Sequence, residues 1–238
     1  APEPVPTTPP PVDPAAGLPP AAAARLAALQ QLVARLLADG EDVGAVTDEQ
    51  LRSVATAKDA GRAAHRDPRL RPFRSQIEAV LRPRAFQPVF QPVVALADGR
   101  TVGYEALTRF DDGTRPDRRF ADAAAIGMGT DLELACLNAA LDAAESLPRG
   151  AWLSVNASPA LVLEDRRLGT AMRRAGRPLV LEVTEHVAID DYRAFRTALS
   201  GLGKQLRLSV DDAGAGFASF RHIVELRPDF VKLDIGLV

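Results

Sequence analysis

Beyond Pro83 the sequence alternates short apolar runs with longer amphipathic segments, and this alternation constrains the fold more than any other feature. The apolar runs predict six β-strands, near residues 89–96, 101–108, 151–156, 179–184, 206–212 and 229–234. The first two runs are separated by Ala-Asp-Gly-Arg, and an Asp-Gly pair between apolar runs predicts a hairpin, so the first strand is expected to be antiparallel. Every later pair is separated by enough amphipathic sequence for a crossover helix, which predicts parallel pairing.

Polar side chains interrupt the later predicted strands, mostly near their carboxyl ends. These side chains are Glu105, Asn156, Glu182, Asp211 and Asp212, with Lys232 and Asp234 in the sixth strand. A (β/α)₈ barrel builds its active site from the carboxyl ends of several strands. A doubly wound open sheet instead concentrates ligand binding at one switch point. The distribution of these side chains along the chain therefore favours a TIM-like barrel.

The strand-rich part of the sequence is short for a complete barrel. Eight strands with their helices take about 250 residues, whereas residues 84–238 number 155 and predict only six strands. Either the fold is unusual or two strand-helix units are absent, and we expect an incomplete barrel with six of its eight strands. Because the sequence also lacks an initiator Met, we expect it to be part of a longer protein.

The region before the strands divides into two parts by composition. Residues 1–20 hold nine of the 19 prolines and predict a disordered Pro-rich linker. Residues 21–83 predict a helical connector: an apolar stripe begins at Leu26, a capping-box pattern begins at Thr47, and a third helix carries Phe73 and Ile77. The predicted domains are therefore a linker over 1–20, a connector over 21–83 and a barrel domain over 84–238.

Composition excludes several classes of partner and location. The net charge of −2 gives no basic surface for a DNA or RNA polymer. The single cysteine, Cys136, allows no internal disulfide and fits a reducing compartment, so the cytoplasm is the expected location. No apolar run approaches the roughly 18 residues that span a bilayer, and no membrane contact is expected from this segment.

The strand-end carboxylates predict a metal site. Four of them in one barrel mouth cannot all be ionised without a compensating cation, and oxygen ligands without clustered His or Cys favour Mg²⁺ or Mn²⁺ over Zn²⁺. Two such ions about 3.5–4 Å apart suit the hydrolysis of a phosphodiester. Taken alone, Asp211-Asp212 is more often a turn or a helix cap. Successive strand residues face opposite sides, so both aspartates are expected to reach a metal only if the strand ends between them.

Five sequence motifs, in order, resemble those of the EAL-domain family of bacterial phosphodiesterases, which hydrolyse cyclic di-GMP to linear pGpG. The first is FQPVVALADGRTVGYEALTRF, whose signature tripeptide is Glu105-Ala106-Leu107. It is followed by LSVNASP, LVLEVTE, LSVDDAGAGF and VKLD. The resemblance covers about 150 residues and does not reach residues 1–70. It implies a barrel of EAL type, a two-metal site for Mg²⁺ or Mn²⁺, and cyclic di-GMP as the ligand.

The resemblance also implies roles for the metal-site residues. The first metal ion would be held by Glu105, Asn156, Glu182 and Asp211. Asp211 would bridge to a second ion, to which Asp212 also binds. Lys232 would lie beside the attacking water, so that Lys232, Glu105 and Asp211 are the candidate catalytic residues.

Four further positions match the family outside the metal ligands. Gln91 and Arg109 would contact the cyclic dinucleotide, Arg109 as a phosphate-binding guanidinium. Glu185 would brace the loop after Asp212, and Asp234 would be a further polar group of the site. The resemblance also implies an upstream sensor domain, and it leaves open whether the domain forms a homodimer.

Two departures from the family pattern keep alternatives open. Ala213 and Ala215 replace the Phe and Thr of the usual Asp-Asp-Phe-Gly-Thr-Gly loop, and the later Ala-Glu-Gly-Val-Glu motif, whose Glu completes the second metal site, is not in this sequence. The enzyme interpretation therefore stands beside a non-catalytic receptor that binds cyclic di-GMP and transmits the signal through the connector. An unrelated metal-dependent barrel enzyme is a third alternative.

Overall fold

The computed structural model describes residues 17–18, 20–38, 71–164, 166–184, 189, 191–203, 206–213 and 217–234. Its strands are β1 (Phe86–Val94), β2 (Thr101–Phe110), β3 (Trp152–Asn156), β4 (Leu179–Thr184), β5 (Leu206–Ala213) and β6 (Phe230–Leu233). Its helices are α1 (Pro20–Ala38), α2 (Arg71–Leu81), α3 (Pro116–Ala125), α4 (Gly129–Ala143), α5 (Pro159–Glu164), α6 (Arg166–Arg174), α7 (Tyr192–Leu202) and α8 (Phe217–Leu226), with a 3₁₀ turn at Ala144–Ser146. The helix predicted to begin at Thr47 lies outside the described residues.

The six strands form one sheet in chain order, β1-β2-β3-β4-β5-β6. β1 runs antiparallel to β2, and each later neighbouring pair is parallel. The hairpin between β1 and β2 turns at Asp98 and Gly99, where the Asp98 carboxylate accepts from the Arg100 N–H and Gly99 has a φ of 70°. The fold is thus an α/β half-barrel of six strands whose first pair is antiparallel, which confirms the predicted fold class.

β1 begins at Phe86, three residues earlier than predicted. Pro88 lies in the added part of the strand, and a proline there breaks the sequence pattern that indicates a strand. Pro88 pairs with Thr108 and Pro92 with Tyr104 in the antiparallel register. Proline cannot donate a ladder hydrogen bond, and it is tolerated in strands at a sheet edge, where its nitrogen faces away from the neighbouring strand. β1 is such an edge strand, so the ladder passes both prolines without interruption.

The two faces of the sheet differ in chemistry because side chains alternate along each strand. On the helix-covered face, the apolar residues of β3, β4 and β5 pack against α4–α8 in the larger core. The buried strand residues of this core are Leu153, Val155, Leu179, Leu181, Val183, Leu208 and Val210. The alternate residues of the same strands project to the opposite, concave face, and most of them are polar. The fold therefore reserves the concave face for polar groups.

A second apolar cluster joins the helices before Pro83 to the strand-rich region. Leu26 and Leu29 of α1 and Phe73 of α2 are buried together with Phe86 of β1 and Phe110 of β2. The described helices of the predicted connector therefore pack directly on the first hairpin and on α3 and α4. The division of the chain at residue 83 stays a prediction about domains.

The helices α7 and α8 are held together by a buried polar contact. The Tyr192 hydroxyl lies 2.7 Å from His222 Nδ1, and His222 is buried. The Asp191 carboxylate caps the start of α7 by accepting from the Ala194 N–H. These contacts fix the two helices that flank β5.

Cys136 lies in α4 within the second apolar cluster and is buried. Burial raises the pKa of its thiol to about 12, so the thiol stays protonated near neutral pH. Cys136 therefore serves as a small core residue. Among the helices of the described residues, none is both long enough and apolar enough to cross a membrane.

Aromatic rings fill the concave face at the amino-terminal ends of the strands. The rings of Trp152 (β3) and Phe230 (β6) are stacked with centroids 5.7 Å apart, and the Arg207 guanidinium lies over the Phe230 ring. In a flat sheet two strands three places apart are separated by about 14 Å. The stack therefore shows how strongly the sheet curls. Gly103 of β2 leaves room for the Trp152 ring, since a Cβ there would lie 2.2 Å from Trp152 Cδ2.

Gly103→Ala is expected to lower the free energy of unfolding by about 1–3 kcal/mol, the usual cost of forcing an extra carbon into a packed interior. Chemical denaturation, monitored by circular dichroism, measures the free energy of unfolding of each variant. Gly201→Ala in α7 is the matched control. Outside its chain neighbours and its own helix backbone, no atom of the described residues lies within 4 Å of its added Cβ, and Ala is favoured over Gly in a helix. Equal denaturation midpoints for Gly103→Ala and the unmodified chain would contradict the aromatic packing.

Candidate active site

Three carboxylates from three strands surround one ammonium group at the carboxyl-terminal side of the concave face. Lys232 Nζ (β6) donates to Glu105 Oε1 (β2) at 3.0 Å, to Glu182 Oε2 (β4) at 2.9 Å and to Asp211 Oδ2 (β5) at 3.0 Å. Strands β2 and β6 lie four places apart in the sheet, which would be about 19 Å in a flat sheet. The curl of the half-barrel thus brings together residues that are 127 positions apart in the chain. We refer to Glu105, Glu182, Asp211 and Lys232 as the carboxylate–lysine cluster.

Strand register explains why these side chains meet. Asn156 pairs with Glu182 across β3 and β4, and Thr184 pairs with Asp211 across β4 and β5. Parallel strands with helical crossovers place the carboxyl ends of their strands at one edge of the sheet. Alternation then decides which strand-end residues face inward, and the neighbouring Leu181 and Val210 are buried under the helices instead. The local apolar–polar pattern is therefore what aims the charges into the concave face.

Burial and charge act in opposite directions on the cluster. Burial raises the pKa of Glu182, which is only 3% exposed, and the hydrogen bond and charge of Lys232 offset part of this rise. Burial alone would lower the pKa of Lys232. The hydrogen bond and charge of Glu182, with the hydrogen bonds of Glu105 and Asp211, outweigh it and raise that pKa above its ordinary value. With three acceptors around Nζ, we conclude that Lys232 is protonated at neutral pH.

The carboxylates fit a divalent cation. One oxygen each of Glu105, Glu182 and Asp211 lie within 4.8 Å of one another, and these three form the only such group of His, Cys, Asp or Glu among the residues that the structure describes. Their donor atoms are all hard oxygens, which Mg²⁺, Mn²⁺ and Ca²⁺ prefer. The residues present therefore suit the oxygen-ligated metal that the sequence predicts.

The remaining predicted residues lie around this cluster with different exposure. Asn156 ends β3 next to Glu182 in the register and is exposed. Gln91 pairs with Glu105 across β1 and β2 and is exposed. Arg109 follows Glu105 by four residues on β2, where its guanidinium is exposed and donates to the Thr108 carbonyl.

Two predicted positions are less completely defined. Asp234 follows Lys232 by two residues and is half-buried. Glu185, the predicted brace of the loop after Asp212, lies outside the described residues, so its role stays a prediction.

The fifth strand does not end between Asp211 and Asp212, which was the condition stated for both aspartates to reach a metal. β5 continues to Ala213, and its pairing with β6 shifts there: Val210 pairs with Val231, and the next pair is Ala213 with Leu233. β5 thus advances three residues while β6 advances two. Such a bulge re-aims the side chains of the bulged strand, so it can serve in place of a strand end. The side chain of Asp212 is not among those described, so its part in the site remains a prediction.

Two polar contacts that sequence reasoning missed hold the loops after β2 and β3. The Arg119 guanidinium is buried and donates to the Asp112 carboxylate and to Thr114 Oγ1 in the turn after β2. The Glu133 carboxylate of α4 accepts from the Ser158 N–H at 2.8 Å in the loop after β3, and burial raises the pKa of Glu133. A charged residue inside the apolar stretch LELAC was the available signal for Glu133.

Two serine hydroxyls on the concave face were also missed. Ser154 (β3) and Ser209 (β5) are fully buried, and neither hydroxyl has a hydrogen bond of good geometry to a described residue. Ser154 lies near enough to Glu182 to favour its ionised form. Both serines alternate with buried apolar residues in their strands, which was the sequence signal for their orientation.

Curated relatives match this region of the chain. The uncharacterized protein Rv1357c of Mycobacterium tuberculosis is 33% identical over 164 residues, covering 61% of this chain and 52% of that protein. The cyclic di-GMP phosphodiesterase NbdA of Pseudomonas aeruginosa is 32% identical over 183 residues, covering 68% of this chain and 23% of NbdA. The chain thus spans about half or less of the length of these relatives.

A solved structure shares both the fold and part of the sequence. The Klebsiella pneumoniae protein BlrP1, in its complex with manganese and cyclic di-GMP, superposes with a TM-score of 0.56 at 30% identity, covering 66% of this chain and 42% of that one. The EAL domain family profile matches residues 74–238, which include every strand of the sheet and all four members of the carboxylate–lysine cluster. The chain therefore belongs to the EAL domain family.

Proposed function

We propose that this chain carries the catalytic centre of a metal-dependent phosphodiesterase that hydrolyses cyclic di-GMP to linear pGpG. The observation that carries the proposal is the carboxylate–lysine cluster, in which three carboxylates and one ammonium converge from four strands of an EAL-type half-barrel. NbdA, a relative, is named as a cyclic di-GMP phosphodiesterase, and the BlrP1 structure is a complex with manganese and cyclic di-GMP. Both support cyclic di-GMP as the ligand of this chain, and the BlrP1 complex supports manganese as a metal for its site.

The proposed metal ligands are those that the family motifs indicate. Glu105, Asn156, Glu182 and Asp211 would hold one Mg²⁺ or Mn²⁺ ion, and Asp211 and Asp212 would hold a second. When bound, the ions would supply an activated water and neutralise charge on the scissile phosphodiester.

The chain's own cationic groups would bind and orient the dinucleotide. A phosphodiester carries negative charge, and the exposed Arg109 guanidinium can donate to two of its oxygens at once. Gln91 lies opposite Glu105 in the register and offers an amide to the same ligand. Lys232 would place its ammonium beside the reacting phosphate, where it stabilises the charge that develops in the transition state.

Other groups of the chain would keep this arrangement in place. The Glu133–Ser158 and Arg119–Asp112 contacts anchor the loops that follow β3 and β2, and each of those strands supplies a proposed site residue near its carboxyl end. The half-buried aromatic stack of Trp152 and Phe230 lies at the opposite end of the concave face. Asp234 would add a polar group to the mouth of the site, and Glu185 would brace the loop after Asp212.

The whole protein's context is also a proposal. EAL-type chemistry on a nucleotide second messenger fits a cytoplasmic enzyme whose activity is governed by an upstream sensor domain, and a homodimer would be a suitable assembly for such control. The alignments cover 52% of Rv1357c and 23% of NbdA, so they bear on the shared EAL region and not on this context.

The full-length protein is expected to convert cyclic di-GMP to pGpG when Mg²⁺ or Mn²⁺ is present and to lose this activity when a chelator removes the metal. Separation of the nucleotides by liquid chromatography measures both. Binding of cyclic di-GMP without any pGpG would contradict the enzyme proposal and favour the non-catalytic receptor. Hydrolysis of other phosphodiesters in preference to cyclic di-GMP would favour an unrelated barrel enzyme.

Glu105→Gln is expected to lower kcat by more than about 100-fold, beyond the 10–100-fold that the loss of an outer-shell partner costs a metal site. The amide keeps the size of the side chain and removes its charge, so folding is expected to persist. Glu78→Gln on α2 is the control, because Glu78 is half-buried outside the carboxylate–lysine cluster and pairs with Arg82 on its own helix. Turnover unchanged by Glu105→Gln would refute its assignment as a ligand.

Arg109→Ala is expected to raise KM for cyclic di-GMP by about 10-fold, since a charge-assisted hydrogen bond contributes about 1.5–3 kcal/mol. Steady-state kinetics separates this effect on KM from any change in kcat. Arg100→Ala in the β1–β2 turn is the matched control, because that exposed arginine pairs with Asp98. A KM equal to that of the control would remove Arg109 from the binding site.

A further inference from the structure

The ammonium of Lys232 occupies the centre of the carboxylate triad. An ammonium has three N–H donors, and here each has its own acceptor on a different strand, at 2.9–3.0 Å. The three acceptor groups are the same carboxylates whose oxygens lie within 4.8 Å of one another and fit a metal. The group that satisfies these carboxylates and the ion that would bind them therefore use the same oxygens.

A metal ion and the Lys232 ammonium cannot both bind the same three carboxylate oxygens at once. Mg²⁺ binds oxygen at about 2.0–2.1 Å and repels any other cation in contact with its ligands. Each carboxylate oxygen that now accepts from Nζ would have to turn to the metal, and Nζ would lose at least one of its three acceptors. The side chain of Lys232 is 34% exposed, so its ammonium can move away from the carboxylates toward solvent.

Without a cation between them, the carboxylates would destabilise the fold. Glu182 is almost fully buried, Glu105 and Asp211 are largely buried, and the three come from non-adjacent parts of the chain. Like charges at this separation repel, and removing one partner of a buried ion pair is strongly destabilising. The ammonium thus does for the metal-free protein what a divalent ion would do for the loaded one.

From this geometry we infer that Lys232 is the counter-ion of the metal-free site and that a divalent metal binds by displacing its ammonium from the carboxylates. This inference rests on the metal site of the proposed function. It adds a second role for Lys232: the lysine stabilises the empty site and, as a competitor, weakens metal binding. It also predicts that the released ammonium is available to the phosphodiester only once metal is bound.

The test compares Lys232→Met with the unmodified protein, using the full-length chain and Mn²⁺ alone as the probe. Met keeps much of the side-chain length and removes the charge. Titration calorimetry is expected to show that Lys232→Met binds Mn²⁺ about tenfold or more tightly, a difference of about 1.4 kcal/mol per factor of ten. Thermal unfolding in a chelator is expected to show a lower midpoint for the variant, and Mn²⁺ is expected to raise that midpoint more than in the unmodified protein.

Arg149→Met is the matched control. Arg149 is exposed in a loop away from the cluster, and this substitution removes the same charge as Lys232→Met. Its Mn²⁺ affinity is expected to equal that of the unmodified protein. Equal or weaker Mn²⁺ binding by Lys232→Met would overturn the inference while leaving the proposed function intact. Binding of Mn²⁺ to neither protein would overturn the metal site and, with it, both proposals.

A second measurement covers the case in which Lys232→Met does not fold without metal. In the unmodified protein, trace acetylation with acetic anhydride followed by mass spectrometry reports how readily each lysine amine reacts. Lys58 and Lys204 are the other two lysines of the chain and serve as internal references. Lys232 is expected to be protected in a chelator and to become more reactive, relative to these references, when Mn²⁺ is added. An unchanged reactivity ratio would overturn the displacement.

Discussion

The structure depends on one electrostatic constraint: three carboxylates share the concave face of the sheet, and a positive charge must lie among them. Lys232 meets this constraint with three hydrogen bonds of 2.9–3.0 Å, each to a different strand. These bonds connect β2, β4, β5 and β6, so they are contacts across the interior of the half-barrel as well as a feature of its site. The carboxylate–lysine cluster and the Trp152–Phe230 stack lie at opposite ends of the concave face, and together they supply its main side-chain contacts between distant strands.

Much of this arrangement could be predicted because it follows from local pattern. The Asp98-Gly99 turn indicated the antiparallel first pair, and amphipathic segments between later strands indicated parallel pairing with helical crossovers. Asn156 and Glu182 could be assigned to one site because they lie near the carboxyl ends of parallel strands, which gather at one edge of the sheet. Glu105 was expected near a strand end as well, but it lies in the middle of β2, which continues to Phe110. The predicted strands agree with the observed ones to within three residues, and the largest difference is at β1, where Pro88 concealed an edge strand.

The parts that could not be predicted depend on contacts between distant segments or on local irregularity. The bulge at Asp211-Asp212 arises from the pairing of β5 with β6 and has no signature in either segment alone. The Glu133–Ser158 contact joins residues 25 positions apart, and a carboxylate in a helix gives no indication of which loop it will reach. The VKLD motif likewise predicted that Lys232 belongs to the site. That its ammonium contacts all three carboxylates at once required the curvature of the whole sheet.

The separation of 127 residues between Glu105 and Lys232 has a consequence for how the protein folds. Closing so long a segment carries an entropic cost before any contact compensates it. The cluster can form only after β3, β4 and β5 have taken their places between β2 and β6, so it is an interaction of the finished sheet. A ligand that binds the cluster therefore selects molecules in which all of these strands are ordered. Its presence should protect backbone far from the site against proteolysis, because local opening of any intervening strand would release it.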